Sequence, residues 1–132
     1  MKNEIALLSL LVRDYDEAIQ YYTKVLGFEL VEDTELSVDK RWVRVRPKGS
    51  NGVSLLLAKA SSEEQNAFIG NQTGGRVFLF IHTDNFKREH ERLLAHDVAI
   101  VRGPTTEKYG TVLVFRDLYG NLFDLIEPNP EP

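Results

Sequence analysis

The amino-acid sequence predicts an α+β protein built from two tandem β-α-β-β-β modules, whose strands form a curved mixed sheet around a concave pocket. Two observations carry this prediction. Strand and helix patterns follow each other in the same order in both halves of the chain, and the halves align without gaps at a spacing of seventy residues. Such a repeat indicates two copies of one supersecondary unit. We expect modules at residues 1–60 and 76–128, joined by a linker at 61–75 into one domain.

The first half begins with a strand and a helix. Ile5 to Val12 is a nearly unbroken apolar run that is too short for a helix and is typical of a strand buried on both faces. Asp14 can cap a helix from about Tyr15 to Leu26, and Gly27 can end that helix. Three further strands are predicted at residues 28–38, 41–46 and 53–58.

The second half repeats this order after the polar linker. Arg76 to His82 is again an apolar run, and Asp84 falls on the position of Asp14 before a second helical stripe. Within the linker, Ser61 and Glu64 have the spacing of a capping box, which predicts a short helix. The remaining strands are predicted at 98–101, 111–116 and 122–126, separated by Gly103-Pro104 and by a turn at 117–121.

Composition restricts the classes of function. The 132 residues include 16 basic and 20 acidic side chains, which give a net charge of −4 with no basic run, so we predict no nucleic-acid partner. The longest apolar runs are too short to span a bilayer, which predicts no membrane partner and a cytoplasmic location. The lack of cysteine excludes disulfides, thiolate metal sites and a cysteine nucleophile.

Short motifs in both halves point to a known family. They are Val12-Arg13-Asp14, Ala18, Tyr22 and Leu26-Gly27-Phe28, then Tyr109-Gly110, Phe115-Arg116-Asp117, Gly120-Asn121 and Asp124-Leu125. Together they resemble the vicinal oxygen chelate superfamily, which includes glyoxalase I, extradiol dioxygenases, and fosfomycin- and bleomycin-resistance proteins. The resemblance covers almost the whole chain. It implies a small-molecule pocket, and it implies a homodimer.

The resemblance also implies four metal-ligand positions. In metal-using members, the first and last strands of each half supply histidine or glutamate ligands. The matching positions here carry Leu7, Ser54, Val77 and Asp124. Leucine and valine have no donor atom, so we predict that the usual metal site is absent and that no cofactor is bound. The Lewis acid that glyoxalase-type isomerisation, ring-cleaving oxygenation and fosfomycin opening require would then be missing.

The four positions predict an apolar pocket floor with one acid. Strand alternation places Leu79 on the same face as Val77, and we also assign Val114 to the ligand-binding set. Asp124 would be a lone carboxyl group among apolar side chains, where burial raises the pKa and favours a role as a catalytic acid or base. The alternative is a structural role for Asp124, as a cap of a turn or as the partner of a nearby arginine.

The strand at 41–46 alternates strictly between apolar and polar positions. If Val43 and Val45 pack against a helix, then Trp42, Arg44 and Arg46 face the pocket. There the indole could stack on a planar ligand, and a guanidinium group could bind a carboxylate or phosphate. The alternative is an edge strand with solvated arginines.

The histidines and one tyrosine are weaker candidates. His82 lies an odd number of residues from Val77, so we predict that it faces the helix layer. His90 falls on the apolar stripe of the second helix, and His96 at the C-terminal end of that helix, where structural roles are expected. Tyr109 either rims the pocket mouth or belongs to a plain turn.

Three functional hypotheses follow. The leading one is a metal-independent protein that binds a small organic molecule and sequesters a toxic or antibiotic compound. The second is a metal-dependent isomerase, lyase or dioxygenase of the glyoxalase type, with ligands such as His82, Asp124 and Glu127. The third is a metal-free enzyme that uses Asp124 as its acid or base.

Overall fold

A computed structural model of the chain describes residues 2–130. These residues divide into two compact units, with the boundary along the chain between Ile69 and Gly70. We call 2–69 the first module and 70–130 the second module. The first module contains β1 (Leu7–Val12), α1 (Tyr15–Gln20), a π-helical turn (Tyr21–Val25), β2 (Phe28–Glu35), β3 (Arg41–Pro47), β4 (Ser54–Lys59) and α2 (Glu63–Ala67). The second contains β5 (Val77–His82), α3 (Phe86–Ala95), β6 (Ile100–Glu107), β7 (Gly110–Arg116) and β8 (Leu122–Pro128).

This order confirms the predicted pair of β-α-β-β-β modules. Each module has one four-stranded mixed sheet, with strand order β1-β4-β3-β2 in the first and β5-β8-β7-β6 in the second. The first and last strands of each module pair in parallel, while the other neighbours are antiparallel. Parallel pairing requires a long crossover, which α1 and α3 begin in their respective modules.

The helix of each module covers one face of its sheet, and that face is apolar. In the first module the fully buried side chains include Leu10, Val43, Val45 and Leu57, together with Tyr22 from the helix. Burial of each such aliphatic side chain contributes about 1.5–3 kcal/mol. The second module has an equivalent set, which comprises Leu93, Leu113, Phe115, Phe123 and Leu125. We call the opposite side of each sheet the helix-free face.

Two strands differ from the sequence prediction. The expectation that the first strand is buried on both faces is wrong, because Leu10 and Val12 are buried on one face while Ser9 is exposed on the other. The strand lies at the edge of its sheet and is covered by a helix on one side. The strand expected at 98–101 instead runs as β6 to Glu107, since register shifts in an edge strand accommodate glycine and proline.

The first helix begins as predicted and then changes its winding. Asp14 caps it, with the carboxylate accepting a hydrogen bond from the Glu17 amide at 2.8 Å. The Thr23 hydroxyl donates to the Ile19 carbonyl oxygen at 2.7 Å, and such bonding competes with the backbone bond of the α-helix. The last turn is therefore π-helical, and Gly27 ends it with φ of 73°.

The other two helices each begin one residue later than the sequence predicts. Asn85 caps α3 by accepting from the Arg88 amide at 3.1 Å, whereas Asp84 is exposed outside the helix. Ser62 caps α2 and accepts from the Gln65 amide at 3.1 Å. None of the helices within residues 2–130 combines the length and the apolar character that crossing a membrane requires.

Candidate functional site

The helix-free face of the second module carries one row of side chains that crosses all four strands. Arg102 on β6 pairs with Val114 on β7, Val114 pairs with Asp124 on β8, and Asp124 pairs with Phe80 on β5. Paired residues of adjacent strands share a face, with Cβ atoms about 5 Å apart. We call these four residues the Asp124 row.

The turn before β8 and the end of that strand hold Asp124 in place. Asp117 is buried, and its Oδ1 atom accepts hydrogen bonds from the amides of residues 119–121 at 2.8–3.0 Å. Farther along β8, the Glu127 carboxylate accepts from the Phe86 amide at the start of α3, at 2.7 Å. Side chains alternate along the strand, so Asp124 points away from the helix that Glu127 binds.

The environment of Asp124 disfavours a negative charge. Its Oδ1 atom is buried and has no hydrogen-bond partner within residues 2–130, although the side chain as a whole is half-buried. Burial raises the pKa of Asp124, and the positive charges of Arg102 and His82 oppose that rise. The carboxyl group therefore keeps its proton to higher pH than an exposed aspartate, and it can both donate and accept a hydrogen bond.

Two of the predicted face assignments on β5 are wrong. A register shift lies between Val77 and Leu79, and beyond it Leu79 pairs with Phe123 of the helix-covered core. Leu79 thus leaves the face expected from alternation. His82 pairs with Ile126 and lies on the face of Asp124 rather than toward the helix, and its charge acts on the pKa of Asp124.

The other candidates of the second module lie at different distances from Asp124. Val114 is its direct partner and is only 3% exposed. Val77 pairs with Leu122, two residues before Asp124 on the same face. Tyr109 is exposed in the turn between β6 and β7, where its carbonyl oxygen accepts from Asn129. The structure does not bring Tyr109 into the Asp124 row.

The helix-free face of the first module carries the predicted arginines. Val43 and Val45 are fully buried on the helix side, so Trp42, Arg44 and Arg46 point to the opposite side. Both arginines are already paired within the sheet. Arg44 Nε lies 3.0 Å from Glu32 and Arg46 Nε lies 2.9 Å from Glu29, each on the neighbouring strand β2.

The remaining candidates of the first module lie next to these ion pairs. Leu7 pairs with Ser54, which is 1% exposed, so these two positions of the expected ligand set are adjacent. The Ser54 hydroxyl accepts from Arg44 Nη1 at 3.3 Å. Trp42 lies near the start of β3, where it pairs with Thr34, and it is half-buried.

These residues do not fit the metal ion of the family's enzymes. Leu7 and Val77 offer no donor atom, and Ser54 is engaged by a guanidinium group. No group of three or more histidine, aspartate and glutamate side chains within residues 2–130 could hold a metal ion. A carboxyl group and a hydroxyl group alone do not provide the coordination that divalent ions require.

The alternative ligand set also fails. His82 and Asp124 share a face, but Glu127 points to the opposite face, and its carboxylate caps α3. A metal held by all three would need Glu127 to release the Phe86 amide and cross the sheet.

Two members of the site, Arg102 and Phe80, were not identified from the sequence. Arg102 lies between two register shifts, and Phe80 follows the shift near Val77. A register shift interrupts the alternation of side chains along each strand. Counting from a neighbouring residue therefore does not give the correct face of the sheet at these two positions. Phe80 is 63% exposed, an unusual placement for a phenylalanine.

Comparison with known proteins agrees with this architecture. The chain is 57% identical over 130 residues to an uncharacterized protein of Shewanella frigidimarina, a match that covers 98% of this chain and 96% of that protein. Among solved structures, UcmS2 has a TM-score of 0.82 at 30% identity, covering 96% of this chain and 99% of UcmS2. TnmS3, described as an antibiotic binding protein from Streptomyces sp. CB03234, has a TM-score of 0.76 at 28% identity, with coverage of 97% and 98%.

The family assignment rests on the match along the sequence as well as on the fold. Residues 4–125 match the family described as the Glyoxalase/Bleomycin resistance protein/Dioxygenase superfamily. This match spans both β-α-β-β-β modules, including the strands that carry Ser54 and Asp124. The chain therefore belongs to the glyoxalase/bleomycin resistance protein/dioxygenase superfamily.

Proposed function

We propose that this protein binds a small organic molecule without a metal ion and thereby sequesters a toxic or antibiotic compound. The observation that carries the proposal is the Asp124 row, where an unpartnered carboxyl oxygen lies beside buried and exposed apolar side chains. The similarity to an antibiotic binding protein over nearly the whole chain supports this class of ligand.

The exposed apolar member of the row, Phe80, provides the binding energy. The exposed ring of Phe80 lies one strand from Asp124, and the buried Val114 lies on the other side. Covering a phenylalanine ring contributes about 1.5–3 kcal/mol, which corresponds to at least a tenfold gain in affinity. On the first module, considered by itself, Leu7, Ser54 and Trp42 remain sequence-based candidates, while Arg44 and Arg46 have their charges neutralised by glutamates.

A second function is supported by the electrostatics of one residue. The raised pKa of Asp124 suits a metal-free enzyme in which this carboxyl group moves a proton to or from the bound molecule. Turnover that continues in the presence of a strong chelator and disappears in Asp124→Asn would favour this enzyme over a simple binding protein.

The homodimer and the cytoplasmic location expected from the sequence belong to the same proposal. A closed two-fold assembly is the commonest one among soluble proteins, which supports the dimer. Sedimentation equilibrium should give twice the mass of the chain, and a monomer at all concentrations would contradict this part of the proposal. Cell fractionation tests the location.

Binding of a flat, uncharged probe tests the main proposal. We expect 2-naphthamide to bind the 132-residue chain in buffer containing EDTA, as measured by isothermal titration calorimetry. Phe80→Ala should weaken binding about tenfold, because it removes the exposed ring.

Phe68→Ala is the matched control, since Phe68 is also exposed but lies after α2 in the first module. It should leave the affinity unchanged. Loss of 2-naphthamide binding on adding EDTA would contradict metal independence. Equal weakening by both substitutions would remove the assignment of the site to the Asp124 row.

A further inference from the structure

We propose that the ligand is an organic acid, whose ionised carboxylate or phenolate group binds between Arg102 and Asp124 while its apolar body covers Phe80. This inference rests on the proposed function and names the chemical class of the ligand. The four residues of the row lie on one face in the order Arg102, Val114, Asp124, Phe80.

Arg102 supplies a positive charge that no ion pair engages within residues 2–130. Its side chain is exposed, and no ion pair joins it to an acidic residue in the described part of the chain. A guanidinium group stays charged at all accessible pH values and binds planar anions through two parallel hydrogen bonds. An anionic ligand would give Arg102 the partner that Arg44 and Arg46 already have in the first module.

The other polar groups near Asp124 also favour an anion. The charged or titratable side chains that act on Asp124 are Arg102 from β6 and His82 from β5, while β7 contributes the uncharged Val114. In its protonated form Asp124 donates a hydrogen bond to an anionic oxygen. A ligand with an ammonium group would instead lie within the field of Arg102 and be repelled.

The spacing of the row leaves room for the acidic group. Arg102 and Asp124 lie on strands separated by β7, so their Cα atoms are about 10 Å apart at the usual strand spacing. Val114, buried between them, forms an apolar floor. A carboxylate above this floor can accept from the long arginine side chain and from Asp124, while a ring attached to it extends toward Phe80.

A matched pair of probes tests the class of ligand. We expect 2-naphthoate to bind at least tenfold more tightly than 2-naphthamide at a pH below the raised pKa of Asp124 at which naphthoate itself is ionised, measured by isothermal titration calorimetry on the whole chain. Arg102→Gln should abolish this preference, so that the two probes bind with about equal affinity. Arg88→Gln is the control, because it removes an exposed arginine from α3 of the same module.

The pH dependence identifies the role of Asp124. The affinity for 2-naphthoate should fall as the pH rises through the raised pKa of Asp124, because the carboxylate formed there repels the ligand. Asp124→Asn keeps a neutral hydrogen-bond donor and should lack this fall. A decrease of the same size in Asp124→Asn would overturn the role of Asp124 as the hydrogen-bond donor.

The outcomes separate this inference from the proposal on which it rests. Equal affinity for the two probes would overturn the organic acid as ligand and leave small-molecule binding intact. An equal loss of 2-naphthoate affinity in Arg102→Gln and Arg88→Gln would overturn the role of Arg102. If neither probe binds at millimolar concentration, the proposed binding function itself is contradicted.

Discussion

The helix-free faces of the two modules contain the same kinds of charged residue but satisfy them differently. On the first module, Arg44 and Arg46 each form an ion pair with a glutamate of β2. On the second module, Asp124 has an oxygen without a partner, and no ion pair within residues 2–130 involves Arg102. The second face thus keeps hydrogen-bonding groups available, as a small-molecule site requires.

The difference has a geometric cause. Glu32 pairs directly with Arg44 across β2 and β3, so the opposite charges are immediate neighbours. In the second module, Val114 occupies the position between Arg102 and Asp124, and the two charged residues lie two strands apart. Because Val114 lies between them, Arg102 and Asp124 are not the direct cross-strand neighbours that Arg44 and Glu32 are.

The largest expected effect tests whether the modules differ only on their helix-free faces. Leu57 on β4 and Leu125 on β8 are buried against the helix of their module, at 0% and 3% exposure. Leu57→Ala and Leu125→Ala should each lower the free energy of unfolding by about 3 kcal/mol, since both leave a cavity in a packed core. Urea denaturation measures both. If Leu125→Ala lowers the free energy of unfolding much less than Leu57→Ala, the second module is packed more loosely. The difference between the helix-free faces would then follow from that looser packing.

An intermediate effect is expected from breaking an ion pair of the first module. Glu32→Gln should lower the free energy of unfolding by about 1 kcal/mol, because it leaves the half-buried Arg44 without its carboxylate. The loss should shrink at high salt. Arg102→Gln is the comparison variant and should change stability by less than about 0.5 kcal/mol. If the two variants lower the free energy of unfolding equally, the ion pair of Arg44 does not stabilise the first module more than the unpaired Arg102 stabilises the second.

The smallest effect concerns the stability contributed by Asp124. Because its pKa is raised in the folded state, the unfolded chain releases this proton first as the pH rises, and stability falls across that interval. Asp124→Asn removes this loss, so it should slightly raise the free energy of unfolding near pH 7. The gain should disappear near about pH 3, where the aspartate is protonated in both states. A gain that is equal at both pH values would show that charge burial is not its cause.

Much of the fold followed from local patterns. The cap at Asp14, the glycine at Gly27 and the alternation of Val43 and Val45 gave the helix start, its end and the orientation of β3, and the structure confirms each. Prediction failed where the period of two was interrupted. The register shift after Val77 moved Leu79 and His82 to faces opposite to those expected.

The cross-strand and ion-pair partners of the candidate residues could not be predicted from the sequence, for a different reason. The sequence showed Arg44 and Asp124 as polar side chains on a given face, but a cross-strand partner depends on how two distant segments are aligned. Glu32 neutralises Arg44 because of a specific register between β2 and β3.

The sequence by itself determined the two-module order, the apolar helix-covered sides and the loss of donor atoms at Leu7 and Val77, because these depend on residue type and local spacing. Only the tertiary structure decided that Arg102 and Phe80 share a face with Asp124. Register shifts set those alignments, and a shift is stabilised by the hydrogen bonds and packing of the whole sheet rather than by the residues at which it occurs.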